Sequence, residues 1–363
     1  MSNAHLVASL AARAVLVPMT RPLQTSTGAV TRVPFVLIDL ATRGGAVGRS
    51  YLFCVTPMAL KATVAMLDAL APLIVGQPLA PLDLAQLLER RLTLLGNTGI
   101  AAMATAGIDM AAWDAAAIEA GVPLATLLGA APRPVPAYNS CGLGIMTPDQ
   151  VSREAAELAA AGFGAVKLRL GYPTLAEDLA AVRAAQAALP AGTLLMTDYN
   201  QALLPAEAIR RGLALDACDL CWIEEPVDAH DHAGCARVAA ALATPVQIGE
   251  NFWGPRDMGR AIAAQACDFA MPDAMRIGGV TGWLRAAALA QAAGMPMSTH
   301  LFPEVSAHLM CATPTAHWLE YVDWANPVLR APLAVRDGAV VPAAAPGTGI
   351  AWDEAAVARY AFA

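Results

Sequence analysis

Residues 165–200 read AVKLRLGYPTLAEDLAAVRAAQAALPAGTLLMTDYN. The stretch begins and ends with a short apolar run, and between the runs apolar residues recur at helical spacing over 175–189. Thr174 and Glu177 fit a capping box, which marks the start of a helix. The stretch therefore predicts strand, helix and strand, which is the repeating unit of a parallel sheet.

The same alternation runs along the chain from about residue 135. Several of the apolar runs are separated by helical patterns, and each run ends in polar residues: PVPAYNS (134–140), AVKLRL (165–170), LLMTDYN (194–200), LCWIEEP (220–226), VQIGE (246–250), DFAMPD (268–273), PMSTH (296–300) and HWLEY (317–321). Eight such repeats are the pattern of an α/β protein with a parallel (β/α)₈ barrel of the TIM type.

Residues 1–130 have a different pattern. They open with the strand-like runs ARAVLVPM and VPFVLIDL and continue into alanine-rich helical stretches. This predicts an N-terminal α+β capping domain over 1–130 and a catalytic barrel over 131–339. The irregular tail, about 340–363, does not fit a further repeat and is a candidate to return to the cap.

Composition narrows the class of function. The net charge is −7 and the 23 Lys and Arg residues are scattered, so no surface for nucleic acid or an anionic membrane is expected. The apolar region near 101–131 is interrupted by acidic residues, so we expect no membrane-spanning helix. The apolar stretch at the N-terminus is interrupted by Arg13, so we expect no signal peptide. Seven cysteines, an odd number, indicate free thiols. A cytoplasmic enzyme acting on a small molecule is the expectation.

Three carboxylates stand at the ends of neighbouring strands: Asp198, Glu224 and Glu250. Because all strand ends of a parallel barrel open on one face, these side chains are expected to converge. Converging anions repel one another unless a cation lies among them, and oxygen ligands without Cys or His suit Mg²⁺. The sequence therefore predicts a magnesium site.

The next three strand ends carry Asp273, His300 and Glu320. A carboxylate on the neighbouring strand can hold an imidazole in one tautomer and raise its basicity, as a general base requires. Asp273 and His300 are therefore the predicted catalytic dyad. On the second barrel strand, Lys167 and Arg169 share one face and are expected to point at the same site.

Several motifs, taken in order, make the chain resemble the enolase superfamily and its mandelate racemase group. In the barrel they are AVKLRLGYP (165–173), DYNQ (198–201), WIEEP (222–226), GEN (249–251), MPDAMRIGGVTGW (271–283), STHLF (298–302) and TPTAHWLE (313–320). In the cap they are FVLIDLAT (35–42) and TAGIDMAAWDA (105–115). The resemblance implies a modified barrel with an irregular last strand position, and Mg²⁺-dependent removal of the proton alpha to a carboxylate.

The resemblance also implies a role for each site residue. Besides the three metal ligands, the substrate would contact Lys167 and Ser140 through its carboxylate, a protonated Glu320 through the other oxygen of that group, and Asn200 through its alpha hydroxyl. The polar loop 22–30, which includes Thr27, would close over the substrate. The group further implies a homo-oligomer, an octamer or a smaller symmetric assembly.

The chain departs from the group's pattern at three positions. Arg169 stands where the group has a lysine that serves as a second base, on the substrate face opposite the histidine. Neutralising an arginine near pH 7 costs about 7 kcal/mol or more, against about 4–5 for a lysine, so a fixed substrate-binding cation is the simpler role. Thr27 replaces a valine and Val55 a tyrosine, so the pocket for an aryl group is altered.

Three hypotheses follow. The first is a racemase or epimerase of a 2-hydroxy acid, with His300 and Arg169 as opposed bases. The second is a dehydratase of an acid sugar or hydroxy diacid, with His300 as the main base. The third is a non-catalytic protein that binds sugar acids.

Overall fold

The computed structural model describes residues 3–25 and 28–362. The first third of the chain is a three-stranded antiparallel sheet with helices packed on it. Its strands are β1 (Val7–Thr25), β2 (Gly28–Thr42) and β3 (Val47–Phe53), and its helices are α1 (Leu60–Ile74), α2 (Pro81–Arg91), α3 (Gly99–Glu119) and α4 (Leu124–Leu127). The predicted α+β cap is confirmed.

Helix α1 covers the cap sheet with one apolar stripe. Leu60, Leu67 and Ile74 are buried on that stripe, and the helix packs on β1 and α3, while Lys61 and Asp68 are exposed. Within the described chain, residues 57–74 form the one helical stretch long and apolar enough to cross a membrane by length and composition, and 28% of it is buried. A helix that has charged residues on its outer side and an apolar stripe facing a sheet is typical of one that covers the sheet.

A parallel barrel follows the cap. Its strands are β4 (Val135–Asn139), β5 (Ala165–Arg169), β6 (Leu194–Asp198), β7 (Ile223–Glu224), β8 (Val246–Ile248), β9 (Phe269–Ala270) and β10 (Leu319–Tyr321). Its helices are α5 (Pro148–Ala160), α6 (Leu175–Ala188), α7 (Pro205–Leu215), α8 (His232–Ala241), α9 (Pro255–Ala263), α10 (Gly279–Ala293) and α11 (Pro303–Cys311). The predicted barrel is confirmed, and seven of the eight sequence runs coincide with these strands.

The barrel closes where β10 pairs in parallel with β4. The seventh strand position is irregular, because it pairs only through single bridges that Met297 makes with Ala270 and Ala316 and that His300 makes with Asp273. The sequence predicts a full strand here, and the resemblance places the irregularity at the last position instead. His300 thus projects from a segment that is held by few ladder hydrogen bonds.

Local sequence explains where the barrel helices begin and end. Glu177 N–H donates to Thr174 Oγ1 at 3.3 Å and Thr174 N–H donates to Glu177 Oε2 at 2.8 Å, which is the predicted capping box of α6. Pro148 opens α5, and Gly162 follows its end with a φ of 89°. These helices fix where β5 and β6 deliver their terminal side chains.

The tail returns across both parts of the chain. After β10 it forms the hairpin β11 (Val335–Arg336) and β12 (Ala339–Val340), which pairs antiparallel with β4, and then the helix α12 (Glu354–Arg359). Beyond α12, Phe362 N–H donates to the Ala14 carbonyl at 2.9 Å, so the tail lies along β1 of the cap. The cysteines all carry free thiols.

Candidate active site

The strand ends bring three carboxylates together at one end of the barrel. Asp198 ends β6, Glu224 ends β7, and Glu250 lies two residues after β8. One ligand oxygen from each lies within 4.8 Å of the others, and Asp198 and Glu224 are buried. An all-oxygen set of this size suits a hard divalent cation.

Lys167 lies among the same carboxylates. Its ammonium is 2.6 Å from Glu224 Oε1, 2.9 Å from Glu320 Oε1 and 3.4 Å from Asp198 Oδ2, and its side chain is 1% exposed. Burial by itself would lower the pKa of Lys167, but Glu224 and Glu320 hold that pKa well above its ordinary value. Lys167 is therefore a fixed positive charge beside the metal ligands.

His300 and Asp273 form the predicted pair. His300 Nδ1 is 2.7 Å from Asp273 Oδ2, while the other oxygen of Asp273 accepts the Met275 and Arg276 backbone N–H groups at 2.8 and 3.0 Å. The carboxylate therefore holds the proton on Nδ1 and leaves Nε2 free to accept one. His300 Nε2 faces the carboxylate cluster, at 3.3 Å from Glu250 Oε2.

The charges around His300 set its basicity. Burial lowers the pKa of His300, but Glu250, Asp273 and Glu320 more than offset this and raise it to about 9. The charge of Glu250 makes the largest single raising contribution, and Glu250 also belongs to the metal-binding set. A cation bound to Glu250 would reduce this elevation, which favours the neutral imidazole that a base requires.

Arg169 is anchored to the end of β4. Its Nη1 donates to the Gly142 and Ser140 carbonyls at 2.7 and 3.2 Å, and its Nη2 donates to Ser140 Oγ at 2.7 Å. Its Nε is buried and has no hydrogen-bond partner among the described residues. Ser140, which the resemblance assigns to the substrate carboxylate, is thus engaged by Arg169 in this structure.

Glu320 contacts both Lys167 and the backbone next to His300. Its Oε1 is 2.9 Å from the Lys167 ammonium, and its Oε2 accepts the Leu301 N–H at 2.9 Å. Burial would raise the pKa of Glu320, but Lys167 and His300 hold it well below its usual range. These contacts favour an ionised Glu320 beside Lys167, and the protonated form that the resemblance implies stays a prediction.

Asn200 lies next to the first metal ligand. Its backbone N–H and its side-chain Nδ2 donate to the two oxygens of Asp198 at 2.7 and 3.0 Å. Its Oδ1 is buried and accepts no hydrogen bond from the described residues, so it is free to meet a substrate hydroxyl. Thr27, the remaining predicted contact, lies outside the described residues.

Sequence comparison identifies the two parts of the chain. The N-terminal domain of the mandelate racemase / muconate lactonizing enzyme family matches residues 8–129, and the enolase C-terminal domain-like family matches residues 150–356. The chain belongs to the mandelate racemase group of the enolase superfamily.

Solved structures of this superfamily match the whole chain. An enolase from alpha proteobacterium bal199 with bound magnesium is 45% identical, with a TM-score of 0.97 over 98% of this chain and 99% of that one. An enolase from Bradyrhizobium, in complex with magnesium and mandelic acid, is 44% identical, with a TM-score of 0.95 over 100% of both chains.

Curated relatives in the superfamily differ in their reactions. The L-talarate/galactarate dehydratase of Salmonella typhimurium is 41% identical over 245 residues, which are 67% of this chain and 62% of that protein's length. Other relatives are cycloisomerases and epimerases. This superfamily member is therefore an enzyme, either an isomerase or a hydro-lyase, and the hypothesis of a non-catalytic binding protein is set aside.

Mg²⁺ is the cofactor of this enzyme. Magnesium is bound in the related structures, and the residues of this chain fit it, because Asp198, Glu224 and Glu250 offer only oxygen ligands. Burial raises the pKa of Glu224 to about 8 despite the attraction of Lys167, and Asp198 adds repulsion. A divalent cation bound here would relieve that electrostatic stress.

A second group of residues supports the metal ligands and was missed at the sequence level. Asn251 Nδ2 donates to Glu225 Oε1 at 2.7 Å, and Arg276 Nη1 donates to the Glu250 carbonyl at 3.2 Å. Arg276 also donates to Asn251 Oδ1. Burial and the charge of Glu250 raise the pKa of Glu225 well above its usual value. In the sequence, the signal that could have pointed to Glu225 is the pair of adjacent acids in the WIEEP motif.

Aromatic residues from the cap and the barrel meet beside His300. Together with Leu301 they line a small cavity. These aromatic residues are Phe35, Tyr51, Phe53, Phe302 and Trp324. Tyr51 of the cap donates its hydroxyl to Glu304 Oε2 of α11 at 2.6 Å. The cap sheet thus supplies one wall of the region around His300.

Proposed function

We propose that this enzyme is an acid-sugar dehydratase that uses His300 as its main base. The observation that carries the proposal is the anchoring of Arg169, whose two terminal nitrogens donate to the Ser140 and Gly142 carbonyls and to Ser140 Oγ. Carbonyl oxygens are hydrogen-bond acceptors only, so these contacts favour the fully protonated guanidinium. These contacts therefore do not support a second base at this position, which inversion would require.

The unpartnered polar atoms fit a hydroxylated substrate. Arg169 Nε is a buried donor and Asn200 Oδ1 is a buried acceptor, and neither has a partner among the described residues. A buried polar atom left without a partner costs about 1–3 kcal/mol, and a substrate hydroxyl can donate and accept. A polyhydroxy acid would satisfy both groups better than an acid with one aryl substituent.

The reaction requires few protein groups. His300 Nε2 takes the alpha proton, and the C–H electrons move toward the carboxylate, where Lys167 offsets the growing negative charge. The bond from the beta carbon to its hydroxyl oxygen then breaks, and the imidazolium proton passes to that oxygen to form water. The resulting enol rearranges to a 2-keto-3-deoxy acid. Asp198, Glu224 and Glu250 would hold Mg²⁺, which would supply additional positive charge to stabilise the negative charge that develops.

The relatives support this reaction class, with one competing observation. The talarate/galactarate dehydratase is 41% identical over the matched region, and its fold matches with a TM-score of 0.91 over 98% of this chain. The Bradyrhizobium relative, at 44% identity, binds mandelic acid. A racemase of a 2-hydroxy acid is therefore the second candidate, and it requires that Arg169 act as a base.

One experiment separates the candidates. The Mg²⁺-loaded enzyme is incubated in D₂O with galactarate, L-talarate, L-glucarate and each enantiomer of mandelate, while NMR follows alpha exchange and a carbonyl reagent follows keto acid. We expect keto acid from at least one diacid and no inversion of mandelate. Exchange with inversion and without keto acid would replace the dehydratase with the racemase. Absence of exchange and of keto acid with every acid would reject both for these substrates.

The location and assembly of the enzyme belong to the same proposal. A cytoplasmic enzyme fits a substrate that is a soluble sugar acid, and subcellular fractionation tests this. A homo-oligomer, as large as an octamer, is tested by light scattering on the purified enzyme.

A further inference from the structure

One loop contacts both the end of β1 in the cap and the guanidinium of Arg169 in the barrel. Residues 140–147, which we call the anchor loop, connect β4 to α5. Ile145 N–H donates to the Gln24 carbonyl, at the end of β1, at 2.7 Å. Gly144 packs so closely on Gln24 that an added Cβ would lie 2.5 Å from its carbonyl oxygen. The end of β1 thus rests directly on the anchor loop.

The other side of the anchor loop holds Arg169. The Gly142 carbonyl accepts from Arg169 Nη1 at 2.7 Å, and the Leu143 carbonyl accepts the Arg169 backbone N–H at 2.9 Å. Leu143 has a φ of 53°, a conformation that is uncommon for a residue with a branched side chain. The loop therefore needs contacts from elsewhere to keep this shape.

Glu154 of α5 provides such a contact. Its Oε2 accepts the Leu143 N–H at 3.1 Å, and an added Cβ on Gly142 would lie 2.5 Å from its Oε1. Its Oε1 is also 3.5 Å from Arg21 Nη1 of the hairpin, and its side chain is 15% exposed. Glu157, one turn further along α5, lies 2.7 Å from Arg21 and is 57% exposed.

We infer that Glu154 is a positioning residue that couples the cap hairpin to Arg169. It fixes the loop backbone whose carbonyls hold the guanidinium, and it attracts the arginine of the hairpin that rests on the same loop. Displacing Glu154 is therefore expected to loosen the hairpin and to misplace Arg169 together. The inference rests on the proposed function only for the choice of galactarate as the assay substrate.

The first test compares three variants by hydrogen–deuterium exchange and steady-state kinetics with galactarate and Mg²⁺. Glu154→Ala removes both contacts and should speed exchange in 19–25 and 140–147 at least tenfold and raise KM by about tenfold, with a smaller effect on kcat. Glu154→Gln keeps an acceptor for Leu143 N–H and should restore most of the loss. Glu157→Gln, which touches only Arg21 among these groups, should change KM less than twofold. The inference fails if Glu154→Ala exchanges and binds like the native enzyme, or if Glu154→Gln is no better than Glu154→Ala.

A second test leaves every charged group in place. Gly144→Ala places a methyl group against the Gln24 backbone and should lift the hairpin, with faster exchange in both segments and a raised KM. Gly164→Ala is the matched control, because a Cβ there meets no atom within 4 Å. Normal exchange in Gly144→Ala would contradict the coupling. If the native enzyme does not act on galactarate, the proposed function is at fault, and the exchange measurements on the free enzyme still decide the inference.

Discussion

At the scale of single residues, Arg169 separates the two candidate reactions. Arg169→Lys replaces a planar fork with three bound acceptors by one ammonium, so the charge remains but its anchoring at Ser140 and Gly142 is lost. We expect the KM for a diacid substrate to rise about tenfold, without inversion in D₂O. NMR and keto-acid assays measure both quantities, with the exposed Arg183→Lys as the control. An increase in inversion would show that the position serves a base.

Asp273 offers a test of the proton acceptor. Because its Oδ1 accepts two backbone N–H groups, an asparagine there keeps its oxygen in place and turns its amide N–H toward His300. His300 would then carry its proton on Nε2 and lose its function as a base. Asp273→Asn should therefore lower kcat by about 10³-fold or more with little change in the unfolding temperature.

The control for Asp273→Asn is a second aspartate with similar backbone contacts. Asp216 accepts the Ala243 and Thr244 N–H groups at 3.1 and 2.8 Å, away from the site. Asp216→Asn should leave kcat unchanged. Alpha exchange in Asp273→Asn at the native rate would remove the dyad from the mechanism.

At the scale of elements, the sequence predicts the strands and helix starts well because their causes are local. The capping box at Thr174 and Glu177 and the stop at Gly162 are determined by neighbours in the chain. The seventh strand position departs from its apolar pattern, since Met297 and His300 pair only through single bridges. Whether a strand pairs fully depends on the curvature of the closed barrel, which no local pattern contains.

The α6 cap also gives an element-scale prediction. Thr174→Ala removes the side-chain oxygen that accepts Glu177 N–H at 3.3 Å, and it should lower the free energy of unfolding by about 1 kcal/mol. Urea denaturation followed by circular dichroism measures this, with the exposed Thr126→Ala as control. A loss no larger than that of the control would mean that the cap contributes nothing measurable to α6.

At the scale of the whole molecule, strand-end residues such as Asp198, Glu224 and His300 could be placed from sequence because a parallel barrel opens all its strands on one face. The contacts between them could not be placed, because several neighbouring residues adopt positive φ. This conformation is tolerated by Asn200 at 45° but is uncommon for the types of the others: Gln201 at 65°, Glu225 at 38°, Leu301 at 50° and Phe302 at 50°. These turns depend on long-range packing, and they direct Glu225 and the Leu301 N–H into the site. The engagement of Ser140 by Arg169 likewise depends on the anchor loop.

His308 lies at the interface between the cap and the barrel and makes the stability of this interface sensitive to acid. The residue lies in α11, is fully buried, and accepts the Ala125 N–H of α4 on Nδ1 at 3.2 Å. Burial lowers the pKa of His308 to about 4. Because Nδ1 accepts a hydrogen bond, the neutral ring carries its hydrogen on Nε2. An added proton therefore goes to Nδ1, breaks the hydrogen bond from Ala125 and places a positive charge in the buried interface.

The sign of the pH effect follows from the depressed pKa. The unfolded chain binds the proton near pH 6.5, whereas the folded protein resists it until about pH 4, so stability is full above pH 6.5 and falls as the pH drops toward 4. Protonation of this one group should lower the free energy of unfolding by about 2 kcal/mol between pH 8 and 5.

His308→Asn keeps an acceptor for Ala125 N–H and cannot be protonated, so its unfolding free energy should fall about 2 kcal/mol less over that range. The exposed His230→Asn controls for the other titrating groups. Equal pH dependence in the native protein and His308→Asn, measured by urea denaturation at each pH, would show that His308 does not control the acid stability of the interface.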